Sequence, residues 1–237
     1  MPNKGKFKIL SGSTLKLIAV ISMLIDHIAL VLGPELEFLT ASLLTVGGRD
    51  ITCYYIMRRI GRLAFPIFCF LITEGFAHTR NPKRYALRLL IFALLSEVPY
   101  NLMVGQTIFY TARQNIYFTL LLGLLMIWVC QQIRDVRKRS ALLVVLAALA
   151  VCVKGSYGLS GSLLVLMIWL LKQYPAVQAI LSYPLLSNNL AATLAFVPIN
   201  MYNGERGFIK HKALQYGFYV FYPLHIVVLV AVKWLLG

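Results

Sequence analysis

The feature that most constrains this chain is a succession of apolar runs, most near the length that crosses a bilayer, separated by short basic or turn-forming segments. A membrane-crossing helix takes about 20 mainly apolar residues, and it must bond every backbone polar group internally. Runs of this kind cover residues 14–33, 63–79, 85–105, 114–133, 141–153, 158–173, 176–200 and 214–236. The run at 141–153 is short, and the run at 176–200 is interrupted by Pro184 and by Ser187, Asn188 and Asn189. The pattern predicts an all-α polytopic helical bundle with about eight crossings, built as a single domain over residues 1–237. If the interrupted run crosses twice, the count becomes nine. No internal repeat is visible, so the runs give no support to an inverted-repeat transporter.

Composition agrees with this reading. Hydrophobic residues make up 59% and charged residues 13%, against roughly 45–50% and about 25% in soluble domains. A secreted disulfide scaffold, a disordered tail and most soluble enzymes are excluded on that ground. Four cysteines without a CxxC pair suggest neither a zinc nor a redox site, and no metal is expected.

Basic residues number 23 against 8 acidic ones, for a net charge of +15. In a soluble chain such an excess would suggest nucleic acid. Here the charges lie between apolar runs, where they set orientation, so no nucleic-acid partner is expected. With eight crossings the basic residues divide 14 to 9. The richer side holds both termini, which are expected in the cytoplasm of a bacterium whose inner membrane carries the protein. The first run follows Lys4, Lys6 and Lys8 but continues too long for a cleavable signal and lacks a small-residue cleavage site.

Ionisable groups inside a crossing are costly and mark function by default. Asp26 and His27 lie past the midpoint of the first run. Adjacent helical residues point about 100° apart, so Asp26 is expected to pair with an arginine elsewhere rather than orient His27. His27 is then available for proton transfer. Arg58, Arg59 and Arg62 open the second run, followed by Glu74. They are candidates to neutralise Asp26 or to hold an anionic group. In the third run Glu97 and Asn101 share a helix face one turn apart, with Pro99 between them. Asn115 opens the fourth run, and Tyr157 sits in a glycine-rich stretch opening the sixth. In the last run Tyr222 and His225 share a face around Pro223. With eight crossings, His27, Arg58–Arg62, Glu97, Asn101, Asn115, Tyr157, Asn200 and Gln215 fall in one half of the membrane. That placement predicts a shared polar cavity opening outward.

These residues stand in motifs that resemble the TraX family. They are Leu15-Lys-Leu-Ile-Ala with Met23-x-x-Asp-His27, Arg59-x-Gly-Arg-x-Ala-Phe-Pro66, Glu74-Gly-Phe-x-His-Thr-Arg-Asn81, Ser96-Glu-x-Pro-x-Asn-Leu-Met103, Asn115-x-x-Phe-Thr-Leu120, Tyr202-Asn-Gly204 and Phe218-Tyr-x-x-Tyr-Pro-x-His225. The likeness runs through nearly the whole chain. One departure is Ser156, where the family is expected to carry an acid.

The resemblance implies an integral membrane acyltransferase, distantly similar to the transmembrane acyltransferase-3 group, with acetyl-CoA as acyl donor. The family's named member acetylates the amino terminus of conjugative pilin. Carried over by position, His27 is the expected catalytic histidine, with Asp26 and Glu97 beside it. Arg58, Arg59, Arg62, Glu74, Asn101, Asn115, Tyr157, Asn203, Tyr222 and His225 are expected to contact the acceptor. Arg80, Lys83, Arg84 and Arg88 are expected to meet the phosphates of acetyl-CoA. His27 either serves as general base or is acetylated transiently. The acceptor is a protein amine, a glycan hydroxyl or a membrane lipid head group, and oligomerisation is open. Two other readings compete: a proton-coupled transporter using Asp26, Glu97 and His225, and a non-catalytic assembly factor for pilin.

Overall fold

A computed structural model describes residues 8–209 and 211–236. The chain is mostly helical. Helix α1 (Gly12–Leu32) leads through a short 3₁₀ turn to α2 (Glu37–Thr40) and then to a hairpin of β1 (Ser42–Val46) and β2 (Arg49–Thr52). After it come α3 (Cys53–Gly61), α4 (Ala64–Ala77), α5 (Pro82–Leu95), α6 (Glu97–Gly105), α7 (Ile116–Gln132) and α8 (Val136–Val153). The remainder is α9 (Gly158–Leu170), α10 (Pro175–Leu185), α11 (Leu190–Thr193), α12 (Phe196–Asn200) and α13 (Lys212–Leu236).

The hairpin corrects the all-α expectation. Gly47 and Gly48 both take positive φ, at 57° and 75°. Two such residues make the tight turn whose twist matches paired strands. The antiparallel register Val46↔Arg49 and Thr45↔Asp50 follows directly.

Three stretches among the described residues are long and apolar enough to cross a membrane: Gly12–Glu35, Cys53–Ala77 and Ala213–Leu236. Pro82–Leu95 and Glu97–Gly105 would make a fourth as one span bent by 44°. Three apolar helical stretches, Ile116–Gln132, Gly158–Leu170 and Leu190–Asn200, are shorter. Val144 is 69% exposed and Ile180 70% exposed, apolar surface of the kind that lipid covers.

The fold has two compact units. The first joins residues up to Ile67 with those from Leu190 onward. Ser11 caps α1 by accepting a hydrogen bond from the Thr14 N–H. Helix α3 lies close against α1 because small residues stand at the crossing. A Cβ on Gly61 would overlap Asp26, and one on Gly33 would overlap the Tyr54 ring.

Helices α1 and α13 run in the same direction. His27 meets His225 and Glu35 meets Lys233, and each pair is separated by the same 198 positions in sequence. At the other end, Gly12 N–H bonds the Glu205 carbonyl and Ser13 N–H bonds the Arg206 carbonyl. The segment 201–209 therefore lies against the start of α1. The segment 201–209 would lie beside the N-terminal segment if the interrupted run crossed twice, the nine-crossing alternative. Lys4, Lys6 and Lys210 fall outside the described residues.

The second unit is Phe68–Asn189. Its core is α7, whose Leu120, Leu124, Met126 and Ile127 are almost wholly buried, together with Leu164, Val165 and Ile168 of α9. The two helices approach where a Cβ on Gly123 would strike Val165. Past α9, the Gln178 amide donates to the carbonyls of Ile168 and Leu171, satisfying the end of that helix. The break in the seventh run follows from left-handed backbone at Ser187 and Asn188, with φ of 56° and 57°.

Candidate functional site

In the first unit α1 carries Asp26 and His27, α3 carries Arg58 with Arg62 capping its end, and α13 carries Tyr222 and His225. Asp26 pairs with Arg58, whose Nη1 stands 2.8 Å from Oδ2. This is the arginine partner the sequence called for. The same Nη1 stands 3.4 Å from the Asp26 carbonyl, so one guanidinium holds both side chain and backbone at this turn. The charge of Arg62 also acts on the Asp26 carboxylate. The other carboxylate oxygen, Oδ1, is buried and has no hydrogen-bond partner among the described residues.

The sequence reading did not pair the two histidines. His27 Nδ1 lies 2.6 Å from His225 Nε2. The ring planes are 4° apart with centroids 4.9 Å apart, the separation of two imidazoles meeting nitrogen to nitrogen in one plane. The protons follow from the partners. His225 Nδ1 lies 2.6 Å from the Phe221 carbonyl oxygen, which can only accept. His225 therefore carries its proton on Nδ1, and its Nε2 is the acceptor. His27 must then donate from Nδ1, which leaves its lone pair on Nε2. No hydrogen bond from a described residue occupies that nitrogen.

The helix around Pro223 supports this arrangement. Proline withholds one helical N–H, and the His225 side chain donates to the carbonyl one turn back. Tyr222 and His225 are 5% and 7% exposed, and the Tyr222 ring stands edge-on to both imidazoles. A pair of histidines within long apolar runs, in a chain with only four, was the available signal.

The second unit gathers Glu97, Asn101 and Asn115. Asn115 caps α7, its Oδ1 accepting from the Tyr117 N–H. Its amide nitrogen donates to the Ala93 carbonyl and to Glu97 Oε2. The Asn101 amide donates to the Ile108 carbonyl. Nearby, the Ser156 hydroxyl is 2.9 Å from the Gln114 carbonyl and 3.0 Å from the Tyr100 hydroxyl. A carbonyl only accepts, so the Ser156 proton goes to Gln114, and Tyr100 donates to Ser156. Serine thus performs a bridging role here that needs no acid.

Other predicted site residues take other places. Arg59 is exposed, its guanidinium over the Tyr55 ring at 4.8 Å. Glu74 pairs with Lys172 at 3.1 Å. Arg80, Lys83 and Arg84 are exposed around the start of α5, and Arg88 lies over the Tyr85 ring at 5.4 Å. Tyr157 precedes α9, where its carbonyl accepts from the Gly161 N–H.

Asn203 stands apart from His27. Its side chain accepts from the Glu205 N–H and its backbone N–H bonds the Leu10 carbonyl. It therefore belongs to the start of α1, roughly 20 Å along the helix from His27 at 1.5 Å per residue. Asn200 and Gln215, expected at the depth of His27, also lie toward that end.

A family model described as "TraX protein" matches residues 11–233. The chain is 28% identical to a protein of Dichelobacter nodosus named "Probable fimbrial assembly protein FimC", over 94% of this chain and 96% of that one. It is 34% identical to an uncharacterized protein of Rickettsia prowazekii over 46% of this chain and 33% of that one. No solved structure matches. Matched across nearly its whole length, the chain belongs to the TraX family.

Proposed function

We propose that this protein is a membrane-bound acetyltransferase that moves an acetyl group from acetyl-CoA to the amino terminus of a pilin-like acceptor, with His27 as general base. The observation that carries this reading is the coplanar His27–His225 pair, which leaves the His27 lone pair on Nε2 with no partner among the described residues. The acceptor amine nitrogen attacks the thioester carbonyl carbon, and His27 Nε2 takes a proton from that nitrogen. A carbon–nitrogen bond forms, the carbon–sulfur bond breaks, and the proton passes from His27 to the departing thiolate. Arg62, which forms no ion pair with a described residue, is assigned to the developing oxyanion.

The exposed basic start of α5, with Arg80, Lys83 and Arg84, suits the phosphates of acetyl-CoA, and Arg88 follows one turn on. On this reading the start of α5 faces the cytoplasmic side of a bacterial inner membrane. The acceptor assignment draws on the fimbrial name of the Dichelobacter relative and on the family's link to pilin acetylation. The same name also favours a second reading, an assembly factor without chemistry. The deciding experiment incubates membranes containing the chain with labelled acetyl-CoA and pilin. The enzyme reading requires label at the pilin amino terminus, lost with His27→Gln. Pilin assembly that persists without label supports the assembly factor.

A further inference from the structure

The Glu97 site of the second unit has a chemistry of its own. Glu97 Oε1 and Asn101 Oδ1 are both buried and neither has a hydrogen-bond partner among the described residues. They are one turn apart on α6, hence on one helix face. Asn115 donates to Ala93 and Glu97, and Asn101 donates to Ile108. Asn101 is only 4% exposed, so bulk water does not solvate its free oxygen, while Glu97 is half-buried and reachable. Glu97 also forms no ion pair with a described residue.

The result is two buried acceptors on one helix face, one of them a carboxylate without an ion pair among the described residues. Unsatisfied buried acceptors cost free energy, and a buried carboxylate is retained where something positive meets it. The matching group has several N–H donors and a positive charge. A primary ammonium carries three such donors and no acceptor. A guanidinium is wider than two oxygens on one helix turn need, and a quaternary ammonium offers no donor.

We infer that Glu97 and Asn101 form a binding site for a primary ammonium group, with Asn115 holding the carboxylate in place. Asn115 acts as a positioning residue. Its amide fixes Oε2 and leaves Oε1 without a hydrogen-bond partner among the described residues. Thr119 Oγ1, a further buried oxygen without a partner, lies one turn from Asn115 on α7. A Cβ at Gly155 would overlap it, so glycine there preserves the space. The inference does not depend on acyl transfer: a transporter or an assembly factor would use the same site for a lysine or an amino-terminal ammonium.

The test uses the purified full chain in lipid nanodiscs and isothermal titration with ethylammonium, tetramethylammonium or ethanol. Saturable ethylammonium binding is expected, at least tenfold tighter than either control. Glu97→Gln keeps the hydrogen bond from Asn115 and is expected to weaken binding more than tenfold, as removing one partner of a desolvated charge pair does. Asn101→Leu removes the second acceptor and is expected to weaken it less. Equal affinity for ethylammonium and tetramethylammonium, or no saturable binding at all, overturns the site and leaves Glu97 Oε1 to a proton or water. Unchanged ethylammonium binding by Glu97→Gln also overturns it.

Discussion

Nδ1 of His27 and Nε2 of His225 meet at 2.6 Å in a common plane, and the carbonyl of Phe221 fixes which of them donates. Two helices widely separated in sequence thus set the tautomer of one imidazole. The consequence is testable by substitution at His225 alone. Gln at 225 offers a carbonyl oxygen to the His27 Nδ1–H, whereas Leu offers nothing. On the account above, His225→Leu lowers transfer on the order of 10- to 100-fold, the scale seen when the group orienting a functional histidine is removed. His225→Gln should recover part of that loss. The pH–rate profile should shift for Leu, because His27 loses the acceptor that holds its tautomer. A purely structural role would instead lower the amount of folded protein and leave the profile of the remainder unchanged.

The Asp26–Arg58 pair is partly buried, with side-chain exposures of 18% and 21%. Removing either charge strands the other. Asp26→Leu and Arg58→Met should each lower stability by about 2 kcal/mol. The double variant should be less destabilised than the sum of the two, because it leaves no unpaired charge. Thermal unfolding in detergent measures the coupling, and additive effects would mean that the ion pair is not made.

Gly61 has a steric assignment that can be isolated from charge. A Cβ there would overlap Asp26, so Gly61→Ala must push α3 away from α1. Overpacking of this kind costs about 1–3 kcal/mol. The variant should also lose transfer activity, since the turn that carries Asp26 also carries His27. Wild-type melting and activity in Gly61→Ala would show that α1 and α3 do not approach at this residue.

The hairpin supplies a pH-dependent element outside the membrane. The hydroxyls of Thr45 and Ser42 donate to Asp50 Oδ1 and hold its carboxyl below the usual carboxylate range. The folded hairpin therefore favours charged Asp50. Its contribution is present above the unfolded pKa, about 3.9, and fades as the pH falls through the lowered folded value. Asp50→Asn should remove this dependence, which amide exchange along 42–52 would report.

Much of the fold was legible because apolar length and helix punctuation are local properties. The runs at 14–33, 85–105 and 214–236 correspond to α1, to the bent α5–α6 pair and to α13. The interruption at Ser187–Asn189 was readable as a break. The hairpin was missed because Leu43, Leu44 and Val46 form no period distinguishable from a loop at the end of an apolar run. Its turn signal, Gly47-Gly48, was in view.

For the site, costly groups inside apolar runs pointed to Asp26, His27, Glu97 and His225, but not to their partners. Pairing across 198 positions depends on whether α1 and α13 run parallel, and that depends on whether residues 190–200 cross the membrane. Charge counting favoured the antiparallel answer through the even count of crossings. The backbone bonds from Leu10, Gly12 and Ser13 to the segment 201–209, with the His27–His225 pair, set α1 and α13 parallel. That one topological choice also displaced Asn203 and Gln215 from the expected cavity.

The most direct test of the central claim is acetyl transfer by the purified chain in nanodiscs, with labelled acetyl-CoA and a pilin carrying a free amino terminus. Wild-type protein should place label on that amine. His27→Gln, folded to the same extent by thermal melting, should lose on the order of 10²- to 10⁴-fold of the rate, the contribution of a positioned general base. Transfer at the wild-type rate by His27→Gln would contradict the account.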